Sequence, residues 1–249
     1  MGRLIFEDKK LVYSDADDNY SILKTSKHMF SSIRRVADYA LKNDMNKVIF
    51  VLRHSIRPRN NWSDTVKLTP LGVHAAEQAG KALSILPDEM SYYSTNITRT
   101  KQTAYYIAHG RDIEYVPSIR SIKNINTVAT DLNYIKNSKE YNNLINTRSY
   151  NRTWYDYMYD GFGTGTAFND INEVSYNFVS SVLTRTTTKN NILISHDQNV
   201  MPLVVQTLNK LIDFRVNYKW LNFLSGLAIL EKDGIVSVIP VTGLVSGYN

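Results

Sequence analysis

The sequence contains no cysteine among its 249 residues. Disulfide bonds, thiol chemistry and cysteine-ligated metal sites are therefore excluded. It also has no apolar run near the eighteen residues that a membrane-spanning helix needs, so we expect no membrane partner. Residues 1–6 show no apolar leader segment, which favours a cytoplasmic protein. The sequence leaves open an exported form whose leader has been removed.

The charge balance is modestly basic, with 29 lysine and arginine residues, 23 aspartate and glutamate residues and a net charge of +6. Such a surface suits an anionic ligand such as a phosphate ester, although an ordinary solvated surface explains the charge equally well. Nucleic acid is a weaker interpretation, because the basic residues are scattered rather than gathered in one stripe. The length and the 43% of hydrophobic residues are typical of a single globular domain, which we take to span residues 1–249.

Strand and helix patterns alternate along most of the chain. The apolar run at 48–52 is typical of a strand buried in a parallel sheet, and Thr69 followed by Pro70 predicts the start of a helix. The predicted elements are, in order, a helix at 29–41, a strand at 48–52, a helix at 70–86, a strand at 90–94, a helix at 98–109, a strand at 113–116, a helix at 171–182, a strand at 192–194, a helix at 200–211 and a hairpin of strands at 226–231 and 235–240. This order predicts an α/β fold, a three-layer sandwich in which helices flank a mostly parallel central sheet.

The segment from about 117 to 190 interrupts this alternation. It is rich in asparagine and tyrosine and ends in an apolar helical pattern. We interpret it as a helical insertion packed beside the sheet, which serves as a cap. The glycines at 161–165 resemble a phosphate-binding loop, but no strand precedes them and no Gly-Lys-Ser/Thr follows, so a flexible turn is favoured.

Charged and hydrogen-bonding side chains cluster at three points where predicted strands end. The clusters are Arg53-His54-Ser55-Ile56-Arg57-Pro58 after the strand at 48–52, Arg99 after the strand at 90–94, and His196-Asp197 after the strand at 192–194. Open α/β sheets place their ligand sites outside the carboxyl ends of the strands. We therefore expect the three clusters to meet in one cleft.

The residue types in this cleft suit phosphoryl transfer. Arginine presents a planar fork of donors that matches phosphate oxygens, and it keeps its charge. Three arginines would favour a phosphate dianion and lower the pKa of a nearby imidazole, leaving it neutral and able to attack phosphorus. Asp197 adds a group that can protonate a departing alkoxide and then activate water. A zinc site would also use two histidines and an aspartate, but Arg53 and Arg57 would repel a cation, so we predict no metal and no cofactor.

The sequence resembles the histidine phosphatase superfamily over roughly residues 47–240. The motifs that carry the resemblance are Arg53-His54-x-x-Arg57, Leu68-Thr69-Pro70-Leu71-Gly72, Arg99-Thr100-Lys101-Gln102-Thr103-Ala104 and His196-Asp197. Their combination is far more specific than any single motif. The resemblance implies a phosphoglycerate mutase-like fold and a nucleophile at His54 that becomes phosphorylated. It also implies a phosphate pocket formed by Arg53, Arg57, Arg99 and His196.

The superfamily has two branches that differ in the source of the proton donor. The mutase-like branch takes it from a glutamate after the third strand, whereas residues 115–122 include no acidic residue. The acid phosphatase and phytase branch uses an aspartate directly after the second histidine, which is the position of Asp197, so the chain is most similar to that branch. It departs from that branch in its short length, its lack of cysteine and its Ser55, where glycine is expected.

These patterns predict a metal-independent phosphomonoester hydrolase of acid phosphatase type, with a phosphohistidine on His54 and Asp197 as general acid and base. The expected partner is a small phosphomonoester. Arg59 and Lys67 are weaker candidates for contacting it beyond the scissile phosphate, since solvated surface charge is their more common role. Two alternatives stay open, a phosphomutase of the same superfamily and a non-catalytic phosphate-binding protein. The sequence specifies neither the physiological substrate nor the oligomeric state.

Overall fold

The computed structural model describes residues 2–7, 10–14, 31–112, 114, 118–129, 132–216 and 219–244. Within these residues the strands are β1 (Gly2–Glu7), β2 (Lys10–Ser14), β3 (Ser31–Ser32), β4 (Lys47–Arg53), β5 (Met90–Ser94), β6 (Lys123–Asn124), β7 (Asn190–Ser195), β8 (Gly226–Lys232) and β9 (Ile235–Thr242). The helices are α1 (Ile33–Lys42), α2 (Pro70–Leu83), α3 (Thr98–Arg111), α4 (Ser138–Arg148), α5 (Tyr150–Asp160), α6 (Ile171–Arg185) and α7 (Asp197–Thr207). None of these helices is long and apolar enough to cross a membrane.

The strands form one mixed sheet in the order β2-β1-β9-β8-β4-β7-β5-β6, with β3 beside β9. The strands β4, β7, β5 and β6 run parallel to one another, with β6 at the edge of the sheet. Beyond β4 the pairings of β8, β9, β1 and β2 are antiparallel, and two of them, β8 with β9 and β1 with β2, join strands that follow each other in the chain. The predicted α/β fold is therefore confirmed. The strands that precede the three clusters of charged residues belong to its parallel part.

Helices cover both faces of the sheet. In β4, Ile49 and Val51 pack into the core beneath α5, α6 and α7, whereas Phe50 and Leu52 pack into the core beneath α1, α2 and α3. Successive side chains of a strand point to opposite faces, so an uninterrupted apolar run is what a sheet buried on both sides requires. The predicted three-layer arrangement is confirmed.

The helices α2 and α3 pack more closely than the sequence patterns indicate. The helix predicted at 98–109 takes its end from Gly110, because glycine commonly follows the last residue of a helix. In the structure α3 continues through Gly110 to Arg111, so the predicted end is wrong. A Cβ at Gly110 would lie 2.1 Å from the backbone oxygen of Glu77 in α2. A Cβ at Gly80 would lie 2.1 Å from the backbone oxygen of Ile107. These glycines allow the two backbones to touch, and Gly110 serves packing rather than helix termination.

Other boundaries differ from the predictions by a few residues. The helix α2 ends at Leu83 and α7 ends at Thr207, each three or four residues before the predicted end. The hairpin of β8 and β9 is confirmed, with its turn in the left-handed conformation at Asp233 and Gly234. The predicted helix start at 29 lies outside the described residues, and so does the predicted strand at 113–116 apart from Glu114.

Three helices, α4 to α6, lie between β6 and β7, in the part of the sequence rich in asparagine and tyrosine. Aromatic side chains of these helices pack on one another and on Phe168 of the segment between α5 and α6, with Tyr157 stacked on Phe168 at a centroid distance of 4.1 Å. Gly161 ends α5 in the left-handed conformation, at a φ of 71°. The glycines at 161–165 form turns, as the sequence favours.

Candidate active site

The three predicted clusters meet at the carboxyl ends of β4, β5 and β7. The strand β7 lies between the other two in parallel register, with Ser195 opposite Arg53 of β4 and Ile194 opposite Ser94 of β5. Residues that follow these strands therefore emerge along one edge of the sheet. The ring centroids of His54 and His196 lie 5.5 Å apart, so the clusters share one cleft.

The two ring nitrogens of His54 have different partners. Nδ1 lies 2.7 Å from the carbonyl oxygen of Ser55, an atom that can only accept, so Nδ1 carries the proton. Nε2 lies 3.3 Å from Nε of Arg99, a group that can only donate, so Nε2 holds the lone pair. The hydrogen-bond network thus selects the tautomer whose nucleophilic nitrogen points at the charged side of the cleft.

His54 is also kept uncharged. Its side chain is buried, and this burial, followed by the positive charge of Arg53, lowers the pKa of the imidazole well below 6.5. The bond to the Ser55 carbonyl and the charge of Asp197 oppose this effect on the pKa without reversing it. The imidazole is therefore neutral near pH 7, the state in which it can attack phosphorus.

Three guanidinium groups line the cleft beside His54. Arg53 is 2% exposed and lies 4.3 Å from the ring centroid of Phe223, while Arg57 and Arg99 donate to backbone carbonyls of the loop at 58–63. Burial lowers the pKa of all three, and the charge of Arg57 further lowers the pKa of Arg53 and of Arg99. An anion in the cleft would relieve this mutual repulsion, so the arrangement favours a phosphate group.

His196 is partly buried just before α7 and supplies a second uncharged imidazole. Its Nε2 lies 3.1 Å from Oγ1 of Thr95, and its Nδ1 lies 3.5 Å from Nη2 of Arg99. Because the guanidinium can only donate, Nδ1 accepts that long bond and Nε2 donates to Thr95. Burial and then the charge of Arg99 lower the pKa of His196 to about 4.

Asp197 begins α7 and is held by three donors. Its Oδ2 lies 3.1 Å from Nη2 of Arg53 and accepts a hydrogen bond from Nε1 of Trp220 at 2.8 Å. Its Oδ1 accepts from the backbone N–H of Gln198 at 3.0 Å. Burial raises the pKa of this carboxyl group, but the charge of Arg53 and the bond from Trp220 outweigh burial and bring the pKa below 3.8. Without substrate, Asp197 is an ionised carboxylate at the edge of the arginine cluster.

Other motif residues position the loop that carries His54. The Ser55 hydroxyl donates to the carbonyl of Gly72 at 2.7 Å, and the Ser55 backbone N–H donates to Oγ1 of Thr103 at 3.0 Å. A Cβ at Gly72 would lie 2.2 Å from the backbone oxygen of Ile56, so the approach of α2 to this loop requires glycine. Ser55, which stands where the family resemblance leads one to expect glycine, thus ties the His54 loop to the start of α2.

The cleft has a volume of about 700 Å³. Besides the predicted residues, it is lined by Trp62, Asp64, Ile97, Tyr150, Asn151, Gln198 and Trp220. Sequence reasoning missed Trp62, Asp64 and Trp220 because they lie in irregular loops without periodicity. Arg59 and Lys67, the weaker candidates for substrate contact, are exposed in the loop before α2 and do not line the cleft. Across the described residues, no three His, Asp or Glu side chains cluster as metal ligands would.

Comparison with known proteins bears on the family and the fold of this chain. The model of the histidine phosphatase superfamily (branch 1) matches residues 49–222, well over half of the chain. No curated protein sequence matches the chain. The solved structure of Bacillus stearothermophilus YhfR is 16% identical, covers 80% of this chain and 98% of its own, and has a TM-score of 0.53. The structure called mycobacterial hydrolase 1 is 12% identical, covers 80% of this chain and 99% of its own, and has a TM-score of 0.50.

The two solved structures are too distant in sequence to show more than the fold, which is the phosphoglycerate mutase-like fold implied by the motifs. At the level of the branch, the matching family model is that of branch 1. The predicted similarity to the acid phosphatase and phytase branch is therefore not confirmed. The part of the chain that matches the family model includes the three clusters of charged residues that follow β4, β5 and β7. The chain belongs to the histidine phosphatase superfamily.

Proposed function

We propose that this chain is a phosphomonoester hydrolase that acts through a covalent phosphohistidine on His54. The observation that carries the proposal is the neutral His54 imidazole, whose Nε2 lone pair lies in a cleft lined by three guanidinium groups. A nucleophile that stays uncharged among positive charges is suited to attack the phosphorus of an anionic ester. Membership of the histidine phosphatase superfamily supports the same chemistry.

The reaction has two steps. In the first, Nε2 of His54 bonds to phosphorus while the bond from phosphorus to the ester oxygen breaks, and the alcohol leaves with a proton. In the second, a water oxygen bonds to phosphorus while the nitrogen–phosphorus bond breaks, releasing inorganic phosphate and the free imidazole. The positive and polar groups offset the charge on the phosphoryl oxygens in both steps. The proposed phosphate ligands are Arg53, Arg57, Arg99 and His196.

The proton transfers are assigned to Asp197, as in the acid phosphatase branch. Arg53 holds this carboxyl group ionised without substrate, which suits the second step, in which the carboxylate accepts a proton from water. A bound phosphate dianion competes for Arg53 and adds negative charge beside Asp197. Both effects raise the pKa of Asp197 and favour the protonated form that the first step requires. Among the described residues, Asp64 is the other carboxylate that lines the cleft.

Replacing Asp197 with Asn tests this assignment. A p-nitrophenolate leaves without a proton, whereas a glycerol alkoxide does not, and general acid catalysis contributes roughly a hundred- to ten-thousandfold. Asp197→Asn should therefore lose roughly a hundredfold or more in phosphoenzyme formation on glycerol phosphate and much less on p-nitrophenyl phosphate. Asp64→Asn is the matched control, and it should leave the ratio of the two rates unchanged.

Asparagine keeps one of the two accepted bonds, because its amide oxygen can still accept from the Gln198 N–H at the start of α7, whereas its amide nitrogen cannot accept from Nε1 of Trp220. If Asp197 only caps α7, Asp197→Asn should retain near-normal rates on both substrates. Small and equal losses on the two esters would remove Asp197 from the mechanism. A loss that depends on the leaving group in Asp64→Asn instead would assign the proton transfer to Asp64.

Turnover of p-nitrophenyl phosphate, inhibited by vanadate, distinguishes an enzyme from a non-catalytic phosphate-binding protein. Vanadate adopts the five-coordinate geometry of phosphorus during transfer, so it should compete with substrate. Phosphate binding without turnover would favour the non-catalytic alternative. Transfer of the phosphoryl group to an added phosphorylated alcohol, in preference to water, would favour a phosphomutase.

The helices between about 117 and 190 are proposed to shape access to the cleft within the single domain 1–249. Tyr150 and Asn151, the first two residues of α5, line the cleft together with the phosphate ligands. The cleft volume of about 700 Å³ accommodates a small molecule. The proposed partner is accordingly a small phosphomonoester.

A further inference from the structure

Three aromatic side chains line the cleft beyond the proposed phosphate ligands. They are Trp62 from the loop before α2, Tyr150 from the first turn of α5 and Trp220 from the loop before β8. Residues so far apart in the sequence converge here because both loops and the start of α5 border the same edge of the sheet. The phosphate end of the cleft is cationic, whereas its outer wall contains these three aromatic rings.

Trp62 is the most exposed large apolar side chain among the described residues, at 70%. Its ring lies 3.9 Å from the guanidinium carbon of Arg57, one of the proposed phosphate ligands. This cation–π contact orients the indole beside the phosphate site while most of its surface remains open. An exposed indole that is held in place at the mouth of a cleft is available to stack on a ligand.

Tyr150 and Trp220 form the aromatic wall on the Asp197 side of the cleft. Their ring centroids lie 5.5 Å apart at an interplanar angle of 47°. Trp220 is anchored because its Nε1 donates to Oδ2 of Asp197, the carboxylate that is paired with Arg53. The rings therefore lie beside Arg57 on one side and beside Asp197 and Arg53 on the other.

We propose that the alcohol part of the substrate carries a flat ring, and that Trp62 selects for it by stacking. This inference rests on the proposed phosphomonoester hydrolase function and specifies its substrate class, which is a nucleoside monophosphate or an aryl phosphate. Aromatic walls interact with any flat ring, since every such ring has a π face. A polyhydroxylated sugar would need many hydrogen-bonding partners, and outside the phosphate site the lining offers the side chains of Asp64, Asn151 and Gln198, the Tyr150 hydroxyl and the Trp62 indole N–H.

Adenosine 5′-monophosphate and ribose 5-phosphate form the first test, because they share the scissile ester and differ only by the base. Stacking of a base on an aromatic side chain contributes enough binding energy for a difference of about 5- to 150-fold. The kcat/KM for the nucleotide should exceed that for ribose 5-phosphate by such a factor. Trp62→Ala should bring this ratio close to one, and Trp62→Phe should keep most of it. We compare the ratio of the two kcat/KM values because both substrates carry the same phosphate. Any effect of the Trp62 substitution on phosphate binding by Arg57 therefore changes both values equally and leaves the ratio unchanged. Leu41→Ala, an exposed apolar position on α1, is the control and should leave the ratio unchanged.

The second test uses phenylphosphonate and methylphosphonate as competitive inhibitors, because neither has a leaving group. If phenylphosphonate has the lower inhibition constant and this difference depends on Trp62, the flat ring of the substrate is attached directly to the ester oxygen, as in an aryl phosphate. If only the nucleotide is preferred, the flat ring is separated from the phosphate by a ribose, as in a nucleoside monophosphate. If neither pair shows a preference, or if Trp62→Ala leaves the preference intact, the proposal is overturned. Failure of the underlying function is separate: the protein would then not hydrolyse p-nitrophenyl phosphate, ribose 5-phosphate or the nucleotide.

Discussion

Acid should weaken the folded state of this protein through His196. In the fold, burial and the charge of Arg99 hold the pKa of this imidazole at about 4, whereas in the unfolded chain the pKa is about 6.5. Between these two values the unfolded chain binds a proton that the folded chain does not, so the free energy of unfolding falls as the pH falls. The contribution of His196 to stability is complete above about pH 6.5 and is lost as the pH approaches 4.

The size of this contribution follows from the two pKa values. Their separation corresponds to a loss on the order of 3 kcal/mol between about pH 7 and about pH 4. That is a substantial part of the roughly 5–15 kcal/mol by which domains are stable. The positive charges of Arg99 and Arg53 lower the pKa of His196, and the negative charges of Asp197 and Asp64 oppose them. Burial is consequently the largest cause of the low pKa.

Urea unfolding from about pH 7 to about pH 4 measures this effect when the unchanged protein is compared with His196→Asn, which keeps a polar side chain that does not titrate. The difference in unfolding free energy between the two proteins should change by about 3 kcal/mol over this range. His74→Asn, an exposed position on α2, is the control and should follow the unchanged protein. If His196→Asn loses stability with acid as steeply as the unchanged protein, the description of a cleft with uncharged imidazoles is wrong.

Two further predictions concern metal independence and helix packing. Turnover of p-nitrophenyl phosphate should survive EDTA undiminished, because the cationic groups beside His54 take the place of a metal; activity that is lost and returns only with zinc or magnesium would contradict the mechanism. Gly110→Ala should lower stability by about 1–3 kcal/mol in thermal unfolding, since its Cβ would meet the backbone of Glu77. At an open helical position the same change would raise stability by up to about 1 kcal/mol, so a stabilised variant would refute the close packing of α2 and α3.

The parallel half of the sheet could be predicted because buried parallel strands have a distinct sequence pattern, an uninterrupted apolar run. The apolar runs of β4 and β7 need no partner information to be recognised, and their carboxyl ends meet wherever such strands pair. Arg53 is the last residue of β4, and His54, His196 and Asp197 follow the ends of β4 and β7, so their meeting could be derived before the fold was known. The antiparallel half of the sheet was harder to predict from the sequence, because the turn of a hairpin is the only local pattern that indicates which strands pair.

Residues outside periodic elements could not be predicted from the sequence. Trp62, Asp64 and Trp220 reach the cleft through loops, whose path depends on contacts such as the bond between Arg99 and the Ser63 carbonyl. Gly110 has the sequence signature of a helix end, yet a close contact with Glu77, far away in the sequence, decides its role. In both cases the deciding partner is distant in the chain, and the local pattern carries no information about it.

Trapping the phosphoenzyme tests the central claim most directly. The protein is mixed with a radiolabelled phosphomonoester, quenched in alkali during turnover and digested, since phosphohistidine is stable in alkali and labile in acid. We predict label on the peptide that contains His54, no label in His54→Ala, and slower labelling in His196→Ala. Acid-labile, alkali-stable label retained by His54→Ala, or turnover by the unchanged protein without any such label, would contradict a phosphohistidine at His54.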